Sequence, residues 1–400
     1  MQRNDLPLPV RTDTSNAFAH RSMGVRVPSI IDDTIARNAY ADPVADALKR
    51  LRDDVAGNAP LRLFEAPAPD HALWLPRYAQ REGETWLGTE WLFAEMLVYR
   101  LIVEASGFLA SGRDPFAPFK QEEMASEALW STLEEVLAFE GALPERLVRM
   151  LKAMLWGNRI DLSIMTVAEQ GVHATDEHLL TDRSEEIVAG LLQRSPGSVH
   201  IIMDNAGTEE AMDLAWSDLL LAEGLATEIV LHVKMLPVLV SDVIPVDLHD
   251  MLQAMTARGG AAAGLSARLS GYMQEGRLRM EADYFWNTDG RFWELSSHIA
   301  HALGEAALAI SKGDANYRRA TNDAIWPLET PMSEALGPFP APLALLRTLK
   351  SDTLVEVPPE RAAELEVEHP QWRANGTYGV MQYAAGQEHP VFDEEGSTYA

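Results

Sequence analysis

Two carboxylates and one amide stand at the ends of strand-like segments, where metal ligands often lie. Asp204 and Asn205 directly follow the apolar segment 199–203, and Asp242 follows a second apolar segment, 238–240. Such residues often serve only as helix caps or turn residues. Two adjacent oxygen donors and a third at the same sheet edge favour instead a hard divalent ion such as Mg²⁺ or Mn²⁺. Three protein ligands would leave positions for water and substrate oxygens.

Cationic and amide side chains follow another strand-like segment. Lys312 and Arg318 carry positive charge, Gly313 allows close backbone approach, and Asn316 offers a donor near the start of a helix. These features are typical of a phosphate-binding loop. The alternative is a solvated strand-to-helix loop. The segment 347–352, taken alone, is typical of a helix end with cations favoured by the helix dipole.

Alternating strands and helices are expected to position these residues. A turn cluster at 195–198 separates them from a first half in which apolar residues recur at helical spacing. The predicted strands are 199–204, 227–234, 237–241, 306–311 and 353–357, and the predicted helices are 208–223, 246–256, 296–304, 315–322 and 342–350. This alternation is typical of a mostly parallel sheet with helices on both faces. We predict an α/β protein with a mainly helical domain over residues 1–194 and an α/β domain over 195–400.

Composition and charge argue against several classes of protein. The net charge of −27 disfavours a nucleic-acid interface, and we expect most of it on a solvated surface. An anionic substrate would then need local attraction by a metal ion and a few cations. The chain has no cysteine, which excludes disulfides and thiolate ligands. Without a signal-like segment or a membrane-spanning apolar run, we predict a cytoplasmic protein with no membrane partner.

Several sequence motifs are missing. No Gly-x-Gly-x-x-Gly or Gly-x-x-x-x-Gly-Lys-Ser/Thr is present, which disfavours a dinucleotide enzyme or a P-loop NTPase. No Gly-x-Ser-x-Gly is present, which disfavours a serine hydrolase. The histidines lack ligand spacing, so we expect no zinc site. The strand-end oxygen donors and the cationic segments remain the candidates for chemistry.

Six motifs follow one another in a recognisable order. They are Trp91-Leu92-Phe93-Ala94-Glu95-Met96 with Tyr99-Arg100; Leu155-Trp156-Gly157-Asn158-Arg159-Ile160-Asp161-Leu162-Ser163; Asp204-Asn205-Ala206-Gly207 with Glu209 or Glu210, followed by His232-Val233-Lys234 and Ser241-Asp242; Lys312-Gly313-Asp314-Ala315-Asn316-Tyr317-Arg318; Trp326-Pro327; and Arg347-Thr348-Leu349-Lys350. Together they resemble the DUF89 damage-control phosphatases, in the branch that contains the acidic-residue methyltransferase-like proteins. The last motif fits the Arg-Thr-x-Lys signature of that branch, and the match is colinear over much of the chain.

The resemblance implies a helical N-terminal domain on a Rossmann-like, three-layer α/β/α domain. It also implies a metal-dependent phosphatase that acts on small phosphometabolites, such as fructose 1-phosphate, with Mn²⁺, Co²⁺, Ni²⁺ or Mg²⁺ as cofactor. By matching positions, the metal ligands and catalytic residues would be Asp204, Asn205 and Asp242. The expected substrate-binding residues are Asn158, Lys312, Asp314, Asn316, Tyr317, Arg318 and Lys350.

The resulting hypothesis is hydrolysis of a phosphate ester. The ion would make water more acidic and offset phosphoryl charge, while Lys312, Arg318 and Lys350 neutralise the rest. Asp204 as a phosphorylated nucleophile is less favoured, because the Asp-x-Asp-x-Thr/Val pattern of such enzymes is missing. An S-adenosylmethionine-dependent protein carboxyl methyltransferase is a second candidate, although only one glycine follows the first strand. A non-catalytic protein that binds metal and sugar phosphate is a third. The oligomeric state is left open.

Overall fold

A seven-stranded sheet forms the centre of the protein, and the computed structural model describes residues 6–157 and 177–386. The strands are β1 (Leu179–Asp182), β2 (Gly197–Ile202), β3 (Ala226–Lys234), β4 (Leu278–Asp283), β5 (Ala306–Lys312), β6 (Leu343–Thr348) and β7 (Gly379–Ala384). Their order in the sheet is β1-β7-β6-β5-β2-β3-β4. Neighbouring strands pair in parallel, except that β6 and β7 are antiparallel.

Helices dominate the N-terminal part. They are α1 (Ala17–Arg21), α2 (Val27–Asn38), α3 (Asp42–Ala56), α4 (His71–Ala79), α5 (Trp91–Ala105), α6 (Phe108–Ser111), α7 (Ala117–Met124), α8 (Glu127–Leu137) and α9 (Leu143–Trp156). In α5, every residue from Trp91 to Val103 is buried. A helix that is apolar on nearly all sides is expected at the centre of a helical core. None of the described helices has the length and apolar character needed to cross a bilayer.

The remaining helices cover the sheet. They are α10 (Ser184–Arg194), α11 (Thr208–Ala222), α12 (Pro245–Arg258), α13 (Gly260–Gln274), α14 (Ser297–Gly304), α15 (Gly313–Ala320), α16 (Met332–Leu336) and α17 (Pro359–Glu368). One core joins a sheet face to α8–α13, and a second core joins the other face to α14–α17. This is a three-layer α/β/α arrangement with a mostly parallel sheet, so the predicted fold class is confirmed.

The middle of the sheet brings three strand ends together. β2 lies between β3 and β5, and Ile201 is level with Leu231 on one side and Ile310 on the other. All seven residues of β5 are buried, as expected for a parallel strand covered on both faces. Because the three strands run in the same direction, their carboxyl ends meet at one edge. This is the edge at which ligands bind in open α/β sheets.

Three predicted elements are wrong. Residues 342–350 were predicted as a helix but contain β6, because pairing with β5 and β7 overrides the helix propensity of leucine and alanine. Residues 237–241 form a turn, in which Leu239 and Val240 have φ angles of 50° and 70°. Residues 353–357 form no strand in the described structure. The predictions also missed β1, β4 and β7.

The predicted domain boundary at residue 195 lies inside the α/β part, because elements before it pack together with elements after it. β1 pairs with β7, and Leu155 of α9 shares a core with Leu191 of α10. All these elements except β7 precede residue 195. The division into 1–194 and 195–400 therefore stays a prediction, and α8 to α10 pack as layers of the α/β part.

Candidate active site

The three residues predicted to bind a metal lie side by side at the carboxyl edge of the sheet. Asp204 and Asn205 follow β2, and Asp242 follows the turn after β3. Asn205 pairs with Asp242 in a short antiparallel bridge, and the Asp204 carbonyl accepts a hydrogen bond from the Val243 backbone at 2.8 Å. Backbone hydrogen bonds therefore bring together residues that are 38 positions apart in numbering, 242 against 204.

The side chain of Asn205 links two carboxylates. Its Nδ2 donates to Asp204 Oδ2 at 2.9 Å and to Glu209 Oε1 at 2.8 Å. The Ser241 hydroxyl donates to Asn205 Oδ1 at 2.5 Å. These contacts determine the orientation of the amide, since its nitrogen faces the acidic groups and its oxygen faces a hydroxyl donor.

The carboxylates of this site are crowded and desolvated. Burial raises the pKa of Asp204 well above its usual value, and the nearby charges of Asp242 and Glu209 raise it further. Burial also raises the pKa of Asp242, although the Lys234 ammonium lies 3.0 Å from its Oδ2 and opposes the shift. A divalent cation among these groups would relieve their mutual repulsion.

Gly313 lets the N-terminus of α15 touch the Asp204 carboxylate. Its φ angle is +82°, and a Cβ atom at this position would lie 2.0 Å from Asp204 Oδ2. Glycine alone adopts this conformation readily and leaves the space free. The close backbone approach predicted at Gly313 is therefore an approach to Asp204.

Asn316 adds another oxygen beside the cluster. Its Nδ2 donates to the carbonyls of Lys312 at 2.9 Å and Met203 at 3.4 Å. Its Oδ1 is buried and accepts no hydrogen bond from the described part of the chain. Buried acceptors usually have a partner. A hard cation bound next to Met203 would supply one.

The oxygen-rich donor set fits a hard divalent ion. Carboxylate and amide oxygens are the preferred ligands of Mg²⁺ and suit Mn²⁺. Within residues 6–157 and 177–386, no three His, Cys, Asp or Glu side chains are grouped closely enough to hold a metal ion by themselves. A centre at this edge therefore depends on the amide of Asn205 as well as on the carboxylates of Asp204 and Asp242.

Lys312 neutralises carboxylates of α11. Its Nζ lies 2.7 Å from Asp213 Oδ1 and 3.7 Å from Glu209 Oε2, and the lysine is buried. The effect of burial outweighs the opposing charge of the lysine and raises the pKa of Asp213 to about 6. The Lys312 ammonium therefore already binds two carboxylates of the protein. Its predicted contact with a phosphate stays a prediction.

Arg318 lies in a buried ion-pair network between α5 and α15. Its guanidinium donates to Glu95 Oε2 at 2.5 Å and to the two Asp323 oxygens at 2.7 and 3.1 Å. It also stacks 3.7 Å above the Trp91 ring. These contacts connect two of the motifs noted in the sequence. They give Arg318 a role in the protein core, and we leave it out of the phosphate-binding set proposed below.

Asp314 and Tyr317 organise the segment that follows β6. Asp314 Oδ1 accepts hydrogen bonds from Arg347 Nε at 2.8 Å, the Ser351 hydroxyl at 3.0 Å and the Lys350 backbone at 3.2 Å. Burial would raise the pKa of Asp314, but the Arg347 guanidinium and neighbouring cations outweigh burial and hold it below its usual value. Arg347 also lies 4.2 Å from the Tyr317 ring centroid. Both predicted substrate ligands therefore support the position of Lys350.

Lys350 differs from the other predicted cations. It is half-buried, and its charge lowers the pKa of both Asp204 and Asp314, so its ammonium lies near the acidic cluster. Within the described residues its Nζ forms no hydrogen bond or ion pair. Lys350 is thus the predicted cation that is best placed to meet an anionic ligand.

The prediction for Asn158 lies outside the described residues. The described part of its Trp-Gly-Asn motif ends at Gly157, which closely approaches α11. A Cβ atom on Gly157 would lie 3.0 Å from the Cα atom of Glu209. The motif therefore begins next to a residue that hydrogen bonds to Asn205.

Glu209 and Lys234 occur in the motifs quoted above but were given no individual role, and Asp213 was not predicted at all. Glu209 and Asp213 are four positions apart on α11, a spacing that places both on one helix face. This spacing was the available signal. Lys234 carried a weaker signal, as a charged residue at the end of a buried strand.

Asn287 holds the segment that leads from β3 to Asp242. Its Oδ1 accepts hydrogen bonds from the backbones of Met235 at 2.9 Å and Leu236 at 3.1 Å, and its Nδ2 donates to the Leu236 carbonyl at 2.7 Å. Val240, further along this segment, has a positive φ angle that is unfavourable for a β-branched residue. Tertiary contacts must hold this conformation.

Comparison with known proteins adds independent information. The chain is 29% identical to a Danio rerio protein named damage-control phosphatase ARMT1, over 95% of this chain and 97% of that protein. Its identity to the Homo sapiens protein of the same name is 25%, over 94% and 98% of the two chains. A crystal structure of a DUF89 family protein from Pyrococcus horikoshii matches with a TM-score of 0.50 and 15% identity, over 92% of this chain and 98% of that chain. This structural match supports the fold alone.

A family profile also matches most of the chain. The profile described as the damage-control phosphatase ARMT1-like domain matches residues 23–365, which include all the described side chains discussed above as possible ligands. The predicted resemblance and the predicted enzyme class, a phosphoric monoester hydrolase, are confirmed at the level of the family. The chain belongs to the damage-control phosphatase ARMT1-like family.

Proposed function

We propose that this protein is a metal-dependent phosphatase of small phosphometabolites, with sugar phosphates such as fructose 1-phosphate as substrates. The observation that carries the proposal is the juxtaposition of Asp204, Asn205 and Asp242 with the half-buried cation of Lys350. An oxygen-ligand site beside an available ammonium suits a ligand that is a phosphate ester. Family membership supports the reaction class.

Asp204, Asn205 and Asp242 would hold the ion, which we propose to be Mn²⁺, Co²⁺, Ni²⁺ or Mg²⁺. When bound, such an ion supplies positive charge that offsets phosphoryl charge and makes water more acidic. Glu209 orients the Asn205 amide through the 2.8 Å hydrogen bond. Gly313 keeps the space beside the Asp204 carboxylate free of side-chain atoms.

Lys350 would neutralise the phosphate of the substrate. Asp314 and Ser351 position its segment through the 3.2 Å backbone contact and the 3.0 Å hydroxyl contact. A charge-assisted hydrogen bond from an ammonium to a phosphate is among the stronger polar contacts in proteins. Lys312 contributes indirectly in this scheme, since it neutralises Asp213 and Glu209.

A screen of phosphate release tests the proposal. Wild-type protein is assayed with a panel of sugar phosphates, with added Mn²⁺ and with EDTA, next to Asp204→Ala and Asp242→Ala. We expect release that depends on Mn²⁺ and falls by about 100-fold or more in both variants, beyond the effect typical of residues that only support a ligand. Asp218→Ala is the matched control, because Asp218 pairs with Arg268 through a separate ion pair.

Four outcomes would contradict or change the proposal. Full activity of Asp242→Ala would remove the three-ligand site from the mechanism. Trapping of a phospho-aspartate at Asp204 during turnover would replace the water-based hydrolysis with a nucleophilic one. Metal-independent binding of S-adenosylmethionine in calorimetry, without phosphate release, would favour the methyltransferase, and sugar-phosphate binding without turnover would favour a sensor. The cytoplasmic location stays a prediction.

A further inference from the structure

Helix α7 contacts both segments that carry the proposed metal ligands. Lys120 and Glu123 are three positions apart on this helix, which places them on one face. Each side chain binds a different segment: Glu123 binds the one that follows β2, and Lys120 binds the one that follows β3. The proposed reaction does not use either residue directly.

The Glu123 carboxylate meets the start of α11. Its Oε1 accepts a hydrogen bond from the Thr208 backbone at 3.1 Å. Gly207, just before it, has a φ angle of +90°, and a Cβ atom there would lie 2.8 Å from Glu123 Cγ and Cδ. A carboxylate at a helix N-terminus is favoured by the helix dipole and satisfies a free N–H group. Glu123 thereby holds the segment that begins with Asp204 and Asn205.

The Lys120 ammonium holds the start of α12. Its Nζ lies 2.6 Å from Asp247 Oδ2 and 3.1 Å from Asp114 Oδ2, and the lysine is 3% exposed. Asp247 Oδ2 also accepts a hydrogen bond from the Ile244 backbone at 2.8 Å. Ile244 lies two residues after Asp242, so the ion pair is tied to the second ligand segment.

We propose that α7 sets the distance between the two ligand segments, with Lys120 and Glu123 as positioning residues for the metal site. The inference rests on the proposed function. Asp204 and Asp242 repel each other when both are charged, and the backbone bridge at Asn205 is short. A helix that binds one segment through a cation and the other through an anion opposes their separation.

The first test compares two adjacent glutamates of α7. Glu123→Ala removes the contact with Thr208, whereas Glu122→Ala removes a carboxylate that is 69% exposed and pairs with Arg37. The readouts are the Kd for Mn²⁺ by calorimetry and the Tm of the metal-free protein. We expect Glu123→Ala to weaken Mn²⁺ binding roughly tenfold, the lower end of the range for supporting residues, and Glu122→Ala to leave it unchanged. Glu123→Gln should restore most of the affinity, because an amide oxygen still accepts the Thr208 hydrogen bond.

The second test replaces the buried pair together. Lys120→Met combined with Asp247→Asn removes both charges of this pair, and the introduced amide oxygen can still accept the hydrogen bond from the Ile244 backbone. Asp114 loses its cation in the double variant, so the Tm of the metal-free protein is measured beside the Mn²⁺ affinity. We expect roughly tenfold weaker Mn²⁺ binding in this double variant as well. Lys49→Met is the control, because Lys49 pairs with Asp46 on the surface.

The outcomes separate this inference from the proposed function. A wild-type protein that neither binds Mn²⁺ nor releases phosphate would refute the proposed function. If the wild-type protein binds Mn²⁺ and Glu123→Ala stays within about twofold of Glu122→Ala, the positioning role is refuted, whatever the change in Tm. A lower Tm with unchanged Mn²⁺ affinity would likewise show that α7 only stabilises the fold.

Discussion

Two sets of charged residues lie at or after the carboxyl ends of the central strands, and they differ in how their charges are compensated. We call Asp204, Glu209, Asp213 and Asp242 the acidic cluster, and Lys312, Arg318, Arg347 and Lys350 the cationic cluster. Burial and mutual repulsion raise the pKa of Asp204 in the acidic cluster. In the cationic cluster, Arg318 and Arg347 already have carboxylate partners at 2.5–2.8 Å.

The difference shows which charges are available for a ligand. A buried arginine between two carboxylates is compensated and has little attraction left for a phosphate. Crowded carboxylates around Asp204 are under-compensated, and a cation would stabilise them. The exception among the cations is Lys350, whose ammonium has no partner within the described residues. The contrast predicts stability effects from Arg318 and binding effects from Lys350.

Arg318→Met should give the largest change, and it tests the compensated side. Removal of the guanidinium leaves Glu95 and Asp323 buried without their cation, and we expect a loss of about 3–5 kcal/mol in the free energy of unfolding. Urea unfolding of the metal-free protein measures it. The control is Arg52→Met, whose surface pairs with Asp32 and Asp53 are screened by solvent and should contribute little to stability. Unchanged stability with lost substrate binding would place Arg318 at the ligand instead.

Asp213→Asn tests the point where the two clusters meet, and its effect depends on pH. The folded-state pKa of Asp213 is raised to about 6 from its usual 3.8, so the folded protein binds this proton more strongly than the unfolded chain does. The resulting stabilisation is present below about pH 4 and is lost as pH rises through about 6, by at most about 3 kcal/mol.

The measurement is urea unfolding between pH 4 and 7 in the presence of EDTA. The wild-type free energy of unfolding should fall more steeply with rising pH than that of Asp213→Asn. Equal slopes for both proteins would mean that Lys312, 2.7 Å away, compensates Asp213 fully.

Gly313→Ala tests the close approach to Asp204. The new methyl group would lie 2.0 Å from Asp204 Oδ2, so the carboxylate must move. A misplacement of about 1 Å in an active site can lower activity by about 100-fold. Gly276→Ala is the control, because its φ angle is +74° but no atom lies within 4 Å of the added Cβ. Both variants should lose about 1–2 kcal/mol of stability from the positive φ angle. Phosphate release measured beside urea unfolding separates the two effects, and equal activity losses would contradict the expected clash.

Lys350→Met removes the uncompensated cation and should have the smallest effect. We expect KM for a sugar phosphate to rise about tenfold from the loss of one charge-assisted contact, with little change in Mn²⁺ affinity or stability. Steady-state kinetics at saturating Mn²⁺ measure KM. A loss of stability comparable to that of Arg318→Met would show that Lys350 is instead a structural cation.

The pattern of apolar and polar residues along the chain predicted two of the central strands, but not β6 or the turn before Asp242. The strands before Asp204 and Lys312 were predicted because apolar, β-rich runs end in polar residues. β6 was predicted as a helix, because its leucines and alanine carry no β signal and only its two neighbouring strands make it extended. The turn at Leu239 and Val240 was also missed, since its positive φ angles depend on contacts such as those of Asn287.

The sequence by itself determined the fold class, the family and the presence of two oxygen donors, Asp204 and Asn205, just after β2, because these depend on residue type and order. The tertiary structure alone decided which charges are compensated. Arg318 and Glu95 lie 223 positions apart in the chain and 2.5 Å apart in space, and Lys120 meets Asp247 in the same way. A charge acts through its distance to its partners and through its burial, and the order of residues along the chain specifies neither.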